Sequence, residues 1–553
     1  MSDEVFDYVI VGAGSAGCVL ADRLTADGRN TVLLLEYGGS DRSIFIQMPT
    51  ALSIPMNMPK YNWFYETDPE PGLGGRRLHT PRGKVLGGSS SINGMVYVRG
   101  NPLDFDRWEE EGADGWAYRH VLPYFRKAET RAEGGDAYRG DSGPLQTGYG
   151  RLANPLHAAW IKATEEAGYP LTADMNGYQQ EGFGRMDMTV GGGRRSSAAN
   201  AYLRRAMTRP NLLVKTHSLA TRVAFDGRRA TGVCYRRGGR SQMATARREV
   251  ILAGGPINSP QLLKLSGVGP AEELKQHGVE PLHDLAGVGE NLQDHLEFYF
   301  QVASRQPITL YSSTNLLAKG VIGARWLLTK GGLGATNHFE SGGFVRSRAG
   351  VRYPDIQYHF LPMAVSYDGS SLAKEHGFQA HVGPMRSKSR GWVRLRSPDP
   401  HDKPQIRFNY MSHPDDWTEM RACVRLTREI FAQPAFAAYA GRELQPGAEV
   451  VTDEQIDAFI RAKVESAYHP SGTCKMGRLD DPMAVVDCET RVIGLEGLRV
   501  VDSSIMPSLT TGNLNAPTLM IAEKAADHIL SRPRLAASNA PFYVAETWRT
   551  AQR

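Results

Sequence analysis

The chain has 553 residues, which is too long for one small core, so we expect two domains or one domain with a large inserted layer. Its 64 basic and 59 acidic residues are scattered, and the formal net charge of +5 forms no basic stripe, which argues against a nucleic-acid binder. The five cysteines lack CxxC spacing, so we predict no disulfide framework, no metal site and a reducing cytoplasm. Without an apolar leader or a run of eighteen apolar residues, we predict no membrane span and at most peripheral membrane contact.

The first 36 residues carry a dinucleotide-binding pattern. An apolar run at residues 8–11 predicts a buried parallel strand, and Gly12, Gly14 and Gly17 follow with GxGxxG spacing. The glycines allow, in order, a tight turn, close approach to a pyrophosphate, and packing of the next helix on the strand. Glu36 ends a second apolar run, where it would accept a hydrogen bond from a ribose hydroxyl. The pattern predicts FAD or NAD rather than NADP.

A long stretch rich in proline and glycine, residues 38–100, follows this unit. A structureless loop of that length is suspicious in a compact domain unless it serves a ligand. Residues 81–94 are rich in Gly and Ser, so their N–H and hydroxyl groups would hydrogen-bond a phosphate or a ring edge. The alternative is an ordinary loop.

Later segments are predicted to return to the nucleotide sheet. Residues 248–267 and 498–527 each indicate a strand, a turn and a helix. Between them, residues 300–460 contain runs of period two, such as 355–361 and 391–396, which predict a half-buried and largely antiparallel sheet. We interpret this region as a substrate layer inserted into one discontinuous nucleotide domain.

Four ordered segments resemble the signatures of the glucose-methanol-choline (GMC) flavin oxidoreductases: residues 12–17 with Glu36, 81–94, 254–263 and 468–473. The similarity spans the chain, and residues 176–184, 337–344, 353–362 and 409–413 most resemble choline-oxidising members. The resemblance implies an α/β fold, with a discontinuous Rossmann-like FAD-binding domain and an inserted α+β substrate domain on a mainly antiparallel sheet. We assign the FAD-binding domain to residues 1–158 (with a lid loop, 38–80), 205–305 and 465–553 (with a C-terminal tail), and the substrate domain to 159–204 and 306–464.

By this resemblance, His469 matches the family's active-site histidine and Asn513 its partner. Alcohol oxidation removes a hydroxyl proton and a hydride from one carbon, so the site needs a base beside the oxygen and flavin N5 beside the C–H bond. An imidazole can accept the proton, typically worth roughly 100- to 10,000-fold, and an amide can donate to the developing alkoxide. Taken alone, a histidine is more commonly structural.

The resemblance also implies the cofactor and its contacts. Asp502 and Ser503 resemble positions near the flavin phosphate or ribityl chain, the Val223 backbone one that meets the adenine, and Asn93 and Gly94 ones beside the isoalloxazine ring. Some members attach FAD through a histidine where this chain has Ile92, so noncovalent FAD is predicted. The full set of expected FAD contacts is Gly12, Gly14, Ser15, Gly17, Glu36, Trp63, Arg82, Gly87, Ser91, Asn93, Gly94, Val98, Val223, Ala253, Gly254, Asp502, Ser503, Asn515 and Thr518.

The sequence predicts the type of reaction but leaves two classes of alcohol open as the substrate. A quaternary ammonium is recognised by aromatic faces and a nearby carboxylate, for which Glu340, Tyr468, Tyr311 and residues 61–63 are the candidates. By the resemblance, His359 matches a substrate-contacting position of choline-oxidising relatives. The alternative for each is ordinary packing. Choline is the first expectation. Choline-handling relatives often have a Trp pair where this chain has residues 315–317, so an aliphatic or aromatic primary alcohol is the alternative.

The remaining expectations concern partners. The reduced flavin would pass its electrons to a quinone, another membrane-linked acceptor or O₂, in the cytoplasm or at the inner-membrane surface. A homodimer contact would lie on the lid loop. Tyr37 either stacks near the adenine or covers the nucleotide edge. A flavin lyase, a photoenzyme and a non-catalytic flavoprotein are the other functional classes on this fold.

Overall fold

The structure is a computed structural model that describes residues 4–365 and 375–553. Its first seven-stranded sheet has a parallel part, in which the two N-terminal strands lie side by side, and an antiparallel meander. In spatial order its strands are Leu212–Lys215, Val32–Leu35, Glu4–Val11, Arg240–Leu252, Arg229–Arg237 and Ser218–Asp226, with Leu498–Val500 also pairing with Arg240–Leu252. All three segments predicted to meet in the nucleotide sheet therefore do so.

The first βα turn has the geometry that its glycines require. Gly12 has φ +100°, and a Cβ there would lie 2.5 Å from the Ala253 carbonyl oxygen. A Cβ on Gly17 would lie 1.9 Å from the Gly12 oxygen, so the Ser15–Thr25 helix can approach the strand only with glycine there. That helix is almost wholly buried, because it also packs against the Asn515–Ile529 helix near the other end of the chain.

The second seven-stranded sheet is antiparallel throughout its pairings, which confirms the predicted fold class. In spatial order its strands are Ala440–Gln445, Leu296–Ser304, Gly377–Pro384, Ile356–Leu361, Ser341–Val345 and Gly182–Arg185, with Glu465–Ser466 also pairing with Leu296–Ser304. The Leu296–Ser304 strand falls within segment 205–305, which the sequence assigns to the FAD-binding domain. Its hydrogen bonds place it instead in the second sheet, next to the edge strand Ala440–Gln445.

Period-two alternation in this sheet does not mean exposure on one face. Every residue of Ile356–Leu361 is buried. The Pro155–Glu166 and Pro414–Phe431 helices cover the apolar face, where Trp160 stacks on Phe360 with ring centroids 5.1 Å apart. The polar face lines the cavity described below. The 391–396 run gives the strand Trp392–Arg394, which pairs with Gln405–Arg407 in a separate two-stranded sheet.

The remaining elements frame the two sheets. A four-stranded sheet contains Val96–Tyr97, Asp187–Met188, Leu145–Tyr149 and Glu129–Arg131, and three two-stranded sheets pair Tyr65–Glu66 with His79–Thr80, Val190–Gly191 with Arg194–Arg195, and Val268–Gly269 with His283–Asp284. The other α-helices are Ile44–Gln47, Ser53–Met56, Pro102–Glu110, Tyr118–Ala128, Arg204–Ala206, Gly255–Leu265, Ala271–Gln276, Leu316–Thr329 and Asp453–Lys463. Within the described ranges, no helix combines the length and apolar character needed to cross a membrane.

Candidate active site

A cavity lined by residues of both sheets brings most of the predicted site residues together. Its nucleotide end lies where the parallel strands of the first sheet end, which is where ligands bind in open α/β sheets. Its other end reaches the polar face of the second sheet. The predicted residues that line it are Gly12, Gly14, Ser15, Glu36, Trp63, Arg82, Asn93, Gly94, Ala253, Gly254, His359, Tyr468, His469, Asp502, Ser503, Asn513, Asn515 and Thr518.

The nucleotide end is suited to a pyrophosphate. The helices Ser15–Thr25 and Asn515–Ile529 both begin at the cavity without a side-chain cap, so their first N–H groups are available to an anion. The Ser15 hydroxyl donates to Asn515 Oδ1 over 2.8 Å and joins the two helix starts. A Cβ on Gly14 would meet only the Ala253 oxygen, at 3.9 Å, which leaves open space for a phosphate above this turn.

Glu36 lies at the edge of this end of the cavity. Its carboxylate accepts hydrogen bonds from the backbone N–H groups of Ala13 (3.0 Å) and Gly38 (2.7 Å), while burial raises its pKa to about 7. The neighbouring Tyr37 ring also lines the cavity and lies 5.0 Å from the ring of Trp63. Tyr37 thus forms part of an aromatic wall beside the Glu36 carboxylate.

Six predicted contacts do not line the cavity. Gly17 packs on Gly12, Gly87 N–H donates to the Ala13 carbonyl, and Ser91 Oγ donates to the Leu86 carbonyl. These residues shape the loops beneath the cavity. Val98 packs on Gly512, and Val223 N–H donates to Ser266 Oγ, whereas Ser218, Leu219 and Ala220 of the same segment line the cavity. The sixth is Glu340, whose carboxylate accepts from Leu152 N–H and the Thr336 hydroxyl.

His469 and Asn513 meet at the end of the cavity nearest the second sheet. His469 Nε2 lies 3.1 Å from Asn513 Nδ2, and His469 Nδ1 lies 3.1 Å from Nδ1 of His295. His295 Nε2 is 3.1 Å from the Met385 carbonyl, which can only accept, so that nitrogen carries the proton. Burial lowers the pKa of His295 to about 4, so the ring is neutral and its Nδ1 accepts from His469. His469 Nε2 therefore presents a lone pair to the cavity.

Asp294 holds the backbone of both histidines. Its carboxylate accepts from the N–H of His469 over 2.7 Å and from that of His295 over 2.9 Å. The hydroxyls of Tyr410 and Ser466 also donate to it, and burial raises its pKa to about 6. These bonds stabilise the turn before His469, in which Tyr468 has the unfavourable φ of +66°.

Gln357 orients the amide partner. Its Nε2 donates to Asn513 Oδ1 and to His359 Nε2, each over 3.1 Å. With its oxygen occupied, Asn513 turns its NH₂ group toward His469. An alcohol oxygen at this point would accept a hydrogen bond from Asn513 and donate its proton to His469.

The pKa of His469 is lowered well below its ordinary value, first by burial and then by His295, Arg82 and His359. A base must be unprotonated to act, and a lowered pKa keeps His469 neutral throughout the neutral and alkaline range. The electrostatics of the site thus match the role that the sequence predicts for this residue.

Glu297 is a cavity residue that the sequence reasoning missed. It is buried, lines the cavity together with Phe339 and His359, and accepts a hydrogen bond from His381 Nδ1 over 3.1 Å. No lysine or arginine within residues 4–365 and 375–553 forms an ion pair with it. Its signal in the sequence was a lone carboxylate in the apolar strand that follows His295. Glu297 lies two residues after His295, so the two side chains point to the same face.

A nucleotide-binding sheet, an antiparallel second sheet and a His–Asn pair between them define an FAD-dependent alcohol oxidoreductase. The GMC oxidoreductase profile matches residues 6–297 with its N-terminal part and residues 387–522 with its C-terminal part, and the chain belongs to this family. A protein of Brucella anthropi called oxygen-dependent choline dehydrogenase is 59% identical over 548 residues, which cover 99% of this chain and 100% of the relative.

Solved structures of two oxidases have the same fold as this chain. Pyridoxine 4-oxidase from Mesorbium loti superposes with a TM-score of 0.87 at 32% identity, covering 95% of this chain and 99% of that one. A formate oxidase variant of Aspergillus oryzae studied for its FAD modification gives 0.88 at 26% identity, covering 96% and 99%. Family and neighbours together indicate that the cavity binds FAD.

Proposed function

We propose that this protein oxidises choline to betaine aldehyde. The observation that carries the proposal is Glu297, a buried carboxylate that lines the cavity near His469 and Asn513 and, among the described residues, pairs with His381 but with no lysine or arginine. Buried charges require a partner, and the trimethylammonium group of choline supplies one. The name of the Brucella anthropi relative supports the same substrate.

The positions of the side chains suggest how the alcohol is held. Glu297, with the Phe339 ring beside it in the cavity wall, would bind the ammonium group, and the hydroxyl would reach His469 and Asn513. His469 Nε2 accepts the hydroxyl proton, and Asn513 donates to the oxygen as negative charge develops there. His295 accepts from the opposite nitrogen and keeps the imidazole in the productive tautomer. FAD, when bound, supplies the N5 atom that accepts the hydride from the alcohol carbon.

A neutral primary alcohol is the second candidate, since Asn513 and His469 act on any hydroxyl. It would leave Glu297 without a cationic partner, at a cost of about 2 kcal/mol or more. The assembled His469–Asn513 pair favours alcohol oxidation over a lyase, a photoenzyme or a non-catalytic flavoprotein.

For the electron acceptor we propose O₂, because the name of the Brucella anthropi relative calls it oxygen-dependent, with a quinone as the alternative. Five free cysteines support a cytoplasmic location.

FAD binding is proposed to be noncovalent. Ile92, which lines the cavity, has no nucleophilic atom for a bond to the flavin. After acid precipitation of the holoenzyme we therefore expect the yellow colour in the supernatant. Absorbance spectra of pellet and supernatant measure this, and flavin that stays with the pellet after washing would contradict it.

The substrate is tested by anaerobic bleaching of the flavin. Choline is expected to bleach it in a stopped-flow instrument at least tenfold faster than long-chain alkanols or benzylic alcohols at equal concentration. Readmitting air or adding a quinone then identifies the acceptor by the faster return of colour. Rapid bleaching by non-cationic alcohols alone would refute choline as the substrate.

A further inference from the structure

The Leu316–Thr329 helix presents an apolar side to solvent. Leu316 and Leu328 are 88% and 86% exposed, and Leu317, Val321 and Leu327 are also exposed. At roughly 3.6 residues per turn, these five side chains fall within an arc of about 140°. We call them the apolar face. Contiguous exposed apolar side chains in a globular protein indicate an interaction surface, whereas single ones do not.

The helix is attached to the protein by its other side. Trp326 is buried, and its Nε1 donates to the Gly193 carbonyl over 2.6 Å. A Cβ on Gly334 would lie 2.7 Å from Trp326 Cβ, so the turn at Gly332–Ala335 packs directly on this anchor. The turn also contacts Pro49–Ala51 of the lid loop, and the next residue, Leu52, lines the cavity. The apolar face is therefore held outward beside the lid.

The charged residues around the apolar face indicate which partner it fits. Lys319 and Arg325 flank the apolar face on either side, both are exposed, and neither pairs with an acidic group in the described ranges. No acidic residue occurs between Arg305 and Phe339. A second copy of this chain docked through the same face would bring these cations together without a counter-charge. An apolar helical face with basic edges instead matches the interface of an anionic bilayer.

We propose that the apolar face is a membrane-docking surface, which inserts among the acyl chains of an anionic phospholipid monolayer while Lys319 and Arg325 contact the headgroups. The helix of 14 residues, about 21 Å long, lies in the plane of the interface and does not cross it. Docking would set the lid loop against the membrane. The inference does not depend on which alcohol or acceptor the enzyme uses.

Flotation of the full-length holoenzyme with lipid vesicles tests this proposal. The wild type is expected to float with vesicles of mixed phosphatidylglycerol and phosphatidylcholine, and much less with phosphatidylcholine alone. The double variant Leu317→Glu/Leu328→Glu is expected to lose at least tenfold in partitioning. Lys319→Gln/Arg325→Gln should lose about fivefold for each removed charge. The matched control is Leu479→Glu, at a leucine 76% exposed elsewhere, which should float like the wild type.

Two outcomes would overturn the proposal. One is a wild type that stays at the bottom of the gradient, or a Leu317→Glu/Leu328→Glu variant that floats equally well. The other is a dimer, measured by light scattering without vesicles, that this variant abolishes while vesicle binding is absent. Choline turnover with a soluble acceptor should match the wild type in every variant, because the helix lies outside the cavity. A failure of docking is thus distinct from a failure of the proposed reaction.

Discussion

Replacing His469 with alanine is expected to lower kcat/KM for choline by roughly 100- to 10,000-fold, the usual contribution of a positioned general base. The loss should appear mainly in kcat, because the imidazole acts on a proton that moves in the transition state, whereas Glu297 and Phe339 would still bind the ammonium group. Steady-state kinetics together with the flavin content of the variant measure it.

His157→Ala is a matched control for this substitution. His157 is also a histidine with a hydrogen-bonded Nδ1, but it is buried, and that atom bonds to Ser341 Oγ over 2.8 Å, away from the cavity. That variant should lose thermal stability and keep its turnover per bound flavin. Full alcohol turnover in His469→Ala would show that another group removes the proton.

The pH profile follows from the same geometry. Because the pKa of His469 lies below its ordinary value, the base is neutral at and above neutral pH, and protonation removes activity only on the acid side. We expect kcat/KM to stay flat through neutral pH and to fall only at a pH well below 6.5, the ordinary pKa of histidine. An acid limb at or above that value would contradict the environment described for His469.

The second large effect is expected at Glu297. Glu297→Gln should lower kcat/KM for choline by about 30-fold or more, since removing one member of a buried charge pair costs about 2 kcal/mol or more. For 3,3-dimethylbutan-1-ol, which has the shape of choline without its charge, we expect little change. The ratio of the two kcat/KM values separates the contribution of the Glu297 charge to substrate preference from any effect of the substitution on folding or FAD binding, since those effects change both values alike.

Glu340→Gln is the control that makes this comparison decisive. It is the same substitution at the carboxylate that the sequence analysis favoured and that the structure places outside the cavity. Its preference for choline should remain that of the wild type, while its melting temperature falls because the bond to the Leu152 N–H weakens. If Glu340→Gln lost the preference and Glu297→Gln kept it, the cation site would be assigned to the wrong carboxylate.

The predicted elements agree with the structure where the signal is local. Gly12 and Gly17 stand where a positive φ or a close backbone approach requires them, and the strand before them and the helix after them form as the pattern indicates. Period two correctly predicted strands in the inserted layer but gave the wrong exposure. His359 lines the cavity and Gln357 bonds to Asn513 beside it, so this polar face meets the first domain rather than water, which a single strand's pattern cannot reveal.

The pattern of residues was enough to predict the nucleotide turn and the two-layer α/β class, and the family resemblance was enough to predict the His469–Asn513 pair, because each depends on residues at fixed short spacing or on a motif seen as a unit. The residues that support this pair, and the carboxylate that lines the cavity, could be found only in the folded chain. His295 lies 174 residues from His469, and Gln357 lies 156 from Asn513. Contacts across such separations arise from strand pairing and sheet packing, and the same packing turns Glu297 into the cavity and leaves Glu340 outside it.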